Sequence, residues 1–226
     1  MSAIPPKLIP ASYAPSSSRA GGLDVITPGL VQVWYSTETL DALQTIILDL
    51  APSRVACLSC PSVFYHLSEQ ARAKHGLANF EFDRRWEDDD GFVFYDCYRP
   101  AELPDELMGS FDLIIADPPA LTDQTLECYA TTIKLLAVPS GACILFSTLE
   151  SFDVTMLELL GLSPQRFKPD LPGFALDGRW DFFSNFKSET LSQPNAVADA
   201  KRAAAAEQES EADEYGVGYH QAQHEI

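Results

Sequence analysis

Asp117-Pro118-Pro119 follows the apolar run Leu113-Ile114-Ile115-Ala116 and precedes a helix-like segment opened by Thr122. Two successive prolines make a rigid turn with fixed φ and remove two backbone donors. Carbonyl acceptors are left beside a carboxylate. Such a cluster can hold an amine and aim its lone pair at an electrophile. The plainer role is a strand-to-helix turn stiffened by proline. Two further carboxylates close apolar runs, Asp83 in ANFEFD and Asp96 in GFVFYD. A carboxylate accepts from two vicinal hydroxyls at once, as a ribose offers. Asp83 lies 24 residues after Ser59, near the spacing at which nucleoside-binding folds place such an acid. It also reads as a surface acid beside Arg84 and Arg85. Asp96 can accept from an exocyclic amine such as that of adenine, or cap the loop leading to Pro100.

The turn after the first apolar run reads Ser59-Cys60-Pro61-Ser62, where a phosphate-binding fold carries GxGxxG. A pyrophosphate needs close backbone approach and free N–H groups, and Pro61 offers none. This argues against NAD, FAD and nucleoside triphosphates. A cofactor with a nucleoside and no phosphate fits better, and S-adenosyl-L-methionine is that cofactor. Cys57 and Cys60 form a C-x-x-C without a second pair, and Cys57 falls inside an apolar run, so buried thiols are expected rather than a metal site. His220 and His224 share an i,i+4 spacing with no evident third ligand.

Strand-like and helix-like patterns alternate around these groups. Ser36 is placed to cap a helix whose apolar face is Leu40, Leu43, Ile46, Ile47 and Leu50. Strands are expected over 54–60, 78–85, 91–97, 111–117 and 141–148. Helices are expected over 62–75, from Thr122 to Ala137, and over 150–160, with RFKPDL and WDFFSNF as a closing strand pair. This is an α/β series: a mostly parallel, doubly wound, Rossmann-like sheet with a C-terminal antiparallel hairpin. In such a sheet ligands bind outside the carboxyl ends of the strands, where Ser59, Asp83, Asp96 and Asp117 would converge. Residues 1–30, with Pro5, Pro6, Pro10, Pro15 and Pro28, read as a flexible arm, and 31–190 as the domain. Residues 191–226 read as an acidic tail, disordered or a solvated helix.

Fifteen Lys and Arg against 33 Asp and Glu give a net charge of -18. That field repels nucleic acid and anionic membrane and attracts a basic protein. No apolar run approaches the length of a membrane span, and no secretory leader is apparent. Five cysteines, an odd number, read as reduced thiols in a cytoplasmic setting.

Six segments carry a resemblance: QVWYSTET (32–39), RVACLSCPSVFYHL (54–67), FEFDRRW (80–86), FVFYDCYRP (92–100), FDLIIADPPAL (111–121) and WDFFSNF (180–186). Together they resemble the elongation factor 1-alpha lysine N-methyltransferase family, which is N6-adenine-methyltransferase-like, of class I and dependent on S-adenosyl-L-methionine. The resemblance implies that Ser59, Pro61 and Ser62 line the methionine end of the cofactor, Asp83 holds the ribose and Asp96 the adenine. Asp117, Pro118 and Pro119 would orient the target amine. Trp34, Tyr35 and Ser36 would close over the cofactor or the substrate channel, against the alternative of a hydrophobic staple and N-cap. The implied activity is methyl transfer to a protein lysine of elongation factor 1-alpha, a basic protein partner, with Asp117 positioning the amine rather than deprotonating it. One departure is Ala120, where the family motif carries an aromatic that stacks on a flipped base in adenine methyltransferases. The rival readings are a nucleic-acid N6-adenine methyltransferase and a non-catalytic module that keeps the fold as a scaffold.

Overall fold

The computed structural model describes residues 33–173 and 178–214. The expected N-terminal arm, the end of the tail and the His220/His224 pair lie outside the described residues. Five parallel strands form the centre of the sheet: β1 (Val55–Leu58), β2 (Ala78–Glu81), β3 (Phe92–Phe94), β4 (Leu113–Ala116) and β5 (Cys143–Leu149). β6 (Ser163–Pro164) and β7 (Trp180–Ser184) complete it in the order β3-β2-β1-β4-β5-β7-β6, with β7 antiparallel to both neighbours. This is the expected Rossmann-like, mostly parallel sheet with an antiparallel hairpin at one edge. The strand order reverses between β1 and β4, which pair Leu58 with Ala116. Their carboxyl ends therefore open side by side, and the Asp117 N–H still donates to the Leu58 carbonyl at 3.0 Å.

β4 reads as an unbroken apolar run because both of its faces are covered. Leu113 and Ile115 face one side and Ile114 and Ala116 the other. On the first side lies α1 (Thr37–Leu50), whose Leu40, Leu43, Ile46 and Ile47 recur at helical spacing. On the second lies α4 (Asp123–Leu136), which presents Leu126, Tyr129, Ile133 and Leu136. Thr122 caps α4 by accepting from the Thr125 N–H at 3.2 Å. The Asp112 carboxylate ties the start of β4 to that of β1 through the backbone N–H groups of Ser53 (2.8 Å) and Arg54 (2.9 Å).

Three expectations differ from the structure. The helix expected over 62–75 is two, α2 (Pro61–His66) and α3 (Glu69–Lys74), because Ser68 adopts extended backbone and caps the second. RFKPDL is not a strand: the partner of β7 is Ser163–Pro164, and Pro169 brings no donor to a ladder. After α5 (Asp153–Leu160) and α6 (Glu189–Ser192), the stretch from 191, read as disordered or as a solvated helix, holds α7 (Ala196–Glu214), a helix anchored to the domain. Its Ala198 is buried, and Lys201 and Arg202 reach carboxylates of the domain.

Candidate active site

A cavity of about 490 Å³ lies at the carboxyl ends of the parallel strands. β1, β3 and β4 contribute the residues that follow their last ladder pairs. From β1 come Ser59 and Pro61. Ser59 holds φ +54, a left-handed conformation that costs a non-glycine residue on the order of 1 kcal/mol. Two contacts fix it there: its N–H donates to the Phe80 carbonyl at 2.8 Å, and its hydroxyl lies 2.6 Å from that of Tyr129. From β4 come Asp117, Pro118, Pro119 and Ala120, and from β3 comes the Tyr95–Tyr98 turn with Asp96. Trp34, Leu171 and Trp180 line it as well.

Seven of the residues singled out in the sequence thus share one cavity: Trp34, Ser59, Pro61, Asp96, Asp117, Pro118 and Pro119. The other four are elsewhere. Ser62 is buried on α2 behind the lining. Asp83 is turned into a local cap, accepting from the Arg85 N–H at 2.9 Å and Arg85 Nε at 2.5 Å. Tyr35 is buried in the core, its ring 5.8 Å from that of Phe182. Ser36 is the N-cap of α1 and accepts from the Thr39 N–H at 3.3 Å. Of the three, only Trp34 lines the cavity, since the capping turn holds its two neighbours inward.

Sequence reasoning missed Glu81. It is the last residue of β2, pairs with Phe94 of β3, and lines the cavity. Burial raises its pKa, while the backbone N–H groups of Asp83 and Phe82 pull it back down. A mostly buried acid at the end of the second strand could accept from a pair of ligand hydroxyls.

Asp117 has the most informative environment. Desolvation pushes its carboxyl up to about 7, against the opposing influence of the nearby Tyr35 and Ser147 hydroxyls. Ser147 in turn accepts from Trp180 Nε1 at 2.5 Å. The Tyr35 hydroxyl has no partner in hydrogen-bonding geometry among the described residues, yet burial and the nearby Asp117 charge raise its pKa. At neutral pH, Asp117 is therefore divided between acid and carboxylate. An unfolded aspartate titrates near 3.9, so the folded state takes up a proton as pH falls from about 7 to about 4. Raising the pH through this window removes stability, and the loss is complete above the folded pKa. Asp117→Asn is expected to gain stability over the parent between pH 5 and pH 8, by at most about 3 kcal/mol. Urea melts of both proteins at the two pH values check it; a difference that does not change with pH contradicts the raised pKa.

The aromatic absent at Ala120 has a neighbour in the same cavity. Tyr98 is 55% exposed, and its hydroxyl lies 3.2 Å from Thr125 Oγ1 at the start of α4. Its backbone N–H donates to Asp96 Oδ1 at 3.0 Å, so the ring stands on a fixed turn. The Cys60 thiol donates to the Ile115 carbonyl at 3.4 Å, and burial raises its pKa, as befits a packed thiol. Among the described residues no three His, Cys, Asp or Glu side chains gather as a metal site.

Residues 28–188 match the family described as "Probable N6-adenine methyltransferase". The chain belongs to this family. The chain is 37% identical over 145 residues to the EEF1A lysine methyltransferase 1 of Mus musculus, covering 62% of this chain and 66% of the relative. It is 41% identical over 111 residues to the protein of the same name from Gallus gallus, covering 47% and 52%. The matches thus span about half to two thirds of these curated relatives. Among solved structures, the T. thermophilus 16S rRNA methyltransferase RsmC with AdoMet and guanosine is 12% identical with a TM-score of 0.42, over 73% of this chain and 45% of that one.

Proposed function

We propose that this chain is an S-adenosyl-L-methionine-dependent protein-lysine N-methyltransferase acting on translation elongation factor 1-alpha in the cytoplasm. The carrying observation is the Asp117-Pro118-Pro119 turn on a strand-end cavity, in a chain similar to EEF1A lysine methyltransferases. The cofactor fits the residues present. Glu81 and Asp96 are carboxylates suited to ribose hydroxyls and an adenine amine, Phe82 offers an aromatic face beside them, and Pro61 denies a phosphate its N–H donor. When bound, S-adenosyl-L-methionine supplies an electrophilic methyl on a sulfonium.

The protein's own task is to deliver a neutral amine in line. A free lysine is neutral in only about 1 of 2,500 molecules at pH 7. Asp117 at about 7 narrows the gap to an ordinary lysine to about 3.4 units, or roughly 5 kcal/mol for the proton to move onto the carboxylate. Desolvation of the ammonium narrows it further, while the attraction between carboxylate and ammonium widens it. That cost fits within a barrier of roughly 17 kcal/mol, typical of slow enzymes turning over near once per second. Asp117 therefore both positions the amine and accepts its proton, a larger role than the sequence alone assigned. The Pro118 carbonyl, left without a ladder, is a further acceptor that orients the nitrogen. Tyr98 and Trp34 supply aromatic faces for the cationic substrate in place of an aromatic at position 120.

The test is transfer of labelled methyl from S-adenosyl-L-methionine to elongation factor 1-alpha, with DNA and RNA in parallel reactions. Label on a lysine is expected. Label on nucleic acid alone would assign the Asp-Pro-Pro turn to an adenine amine instead. Because the chain carries -18, added salt is expected to raise KM for a basic protein substrate. A salt-independent KM would remove the electrostatic part of this reading.

A further inference from the structure

α7 begins after the family match ends at residue 188, yet it is stitched to the wall of the cavity. Two consecutive cations do the stitching. Lys201 pairs with Asp170, and Arg202 pairs with Asp181 and Glu150 and donates to the Trp180 carbonyl at 3.2 Å. Both aspartates are nearly inaccessible, at 3% and 4%, so each pairing fixes a position rather than decorating a surface. α7 also comes close enough that a Cβ at Gly178 would lie 3.1 Å from the Arg202 nitrogen.

The anchored aspartates adjoin lining residues. Asp170 precedes Leu171, and Asp181 follows Trp180. Asp170 also accepts from the Ser36 N–H at 2.9 Å, and its own N–H donates to Thr39 Oγ1 at 3.0 Å. It thereby holds the turn that carries Trp34. Trp180 is thus tied to Arg202 directly, Leu171 to Lys201 through Asp170, and Trp34 to Lys201 through Asp170 and the turn at Ser36.

We propose that Lys201 and Arg202 are positioning residues that hold Trp34, Leu171 and Trp180 as the wall against which the protein substrate docks. The assignment of that wall to the substrate rests on the reading of the chain as a protein-lysine methyltransferase. The Glu81 and Asp96 side of the cavity, assigned to the cofactor, is formed by β2 and β3, apart from the Lys201 and Arg202 pairings named above.

The experiment uses the full chain with Lys201→Met and Arg202→Met together. Asp181 keeps Lys168 at 2.6 Å, so this buried acid retains a partner and the domain a reason to stay folded. The expected result is a KM for elongation factor 1-alpha raised about tenfold or more, with kcat and S-adenosyl-L-methionine affinity by calorimetry close to the parent. In a Trp86→Phe background, emission from Trp34 and Trp180 should shift to longer wavelength as the wall loosens. Arg202→Lys, which keeps the charge and loses the fork to three acceptors, should fall between parent and double variant. An unchanged KM with unchanged emission overturns the proposal, as does a loss of cofactor affinity and kcat in parallel with thermal stability. If the parent itself transfers no methyl to protein, the protein-lysine reading fails separately, and the emission shift still decides whether α7 holds the wall.

Discussion

Asp117→Asn is expected to lower kcat/KM for methyl transfer by about 1,000-fold, in the middle of the range for general acid–base groups. Cofactor affinity should be largely kept. The prediction follows from three properties of one side chain. It lines the cavity, it precedes two prolines that fix its direction, and burial lifts its pKa to about 7. The productive pair is carboxylate and ammonium, so the parent's log kcat/KM should rise with pH to about 7 and then flatten until the lysine itself titrates. The asparagine variant should lack the inflection near 7. Steady-state rates from pH 5.5 to 8.5, with calorimetry for the cofactor, measure both. A variant with parental turnover would remove Asp117 from the mechanism, and an inflection retained in the variant would move the titrating group elsewhere.

Glu81→Gln is expected to weaken S-adenosyl-L-methionine binding by about 10- to 150-fold, the loss of roughly 1.5–3 kcal/mol from charge-assisted hydrogen bonds to vicinal hydroxyls. The comparison that gives this its force is Asp83→Asn. Asp83 caps a short turn and pairs with Arg85 away from the cavity. Its replacement should cost about 0.5–2 kcal/mol of stability, as for a lost cap, and leave cofactor affinity alone. Calorimetric titration of both variants, beside their thermal melts, separates the two acids. Should Asp83→Asn lose the cofactor while Glu81→Gln keeps it, the assignment read from the β2 end is reversed.

The two acids also show where local pattern stops being informative. Glu81 and Asp83 are two residues apart, so strand alternation sends both to the same side. Which one meets the cavity depends on where pairing ends. Glu81↔Phe94 is the last pair between β2 and β3, and the chain then turns into the Asp83-capped helical turn. ANFEFDRR carries no mark of that limit, because Phe82 is as apolar as a strand residue and is nonetheless 50% exposed. The Trp34-Tyr35-Ser36 turn behaves likewise. Its capping function was visible in Ser36 before a helical pattern, while the direction of Trp34 into the cavity depends on a backbone bond to Asp170, 134 residues later.

The order of strands and helices, the parallel core and the Asp-Pro-Pro turn were legible because their causes are local. Strands covered on both faces read as unbroken apolar runs, helices declare their faces at 3.6-residue spacing, and capping residues stand beside what they cap. α7 has no such signature. Its residues are small, charged or polar, and composition alone assigns them to solvent. Its anchoring comes from Lys201 and Arg202 finding Asp170 and Asp181, acids 31 and 21 residues earlier that the folded sheet has already buried. The pKa of Asp117 arises in the same way, from burial that only the assembled walls create. Residue types and local spacing determined the fold and the chemistry on offer; long-range packing decided which carboxylates face the cavity, how readily one takes a proton, and where α7 attaches to the domain.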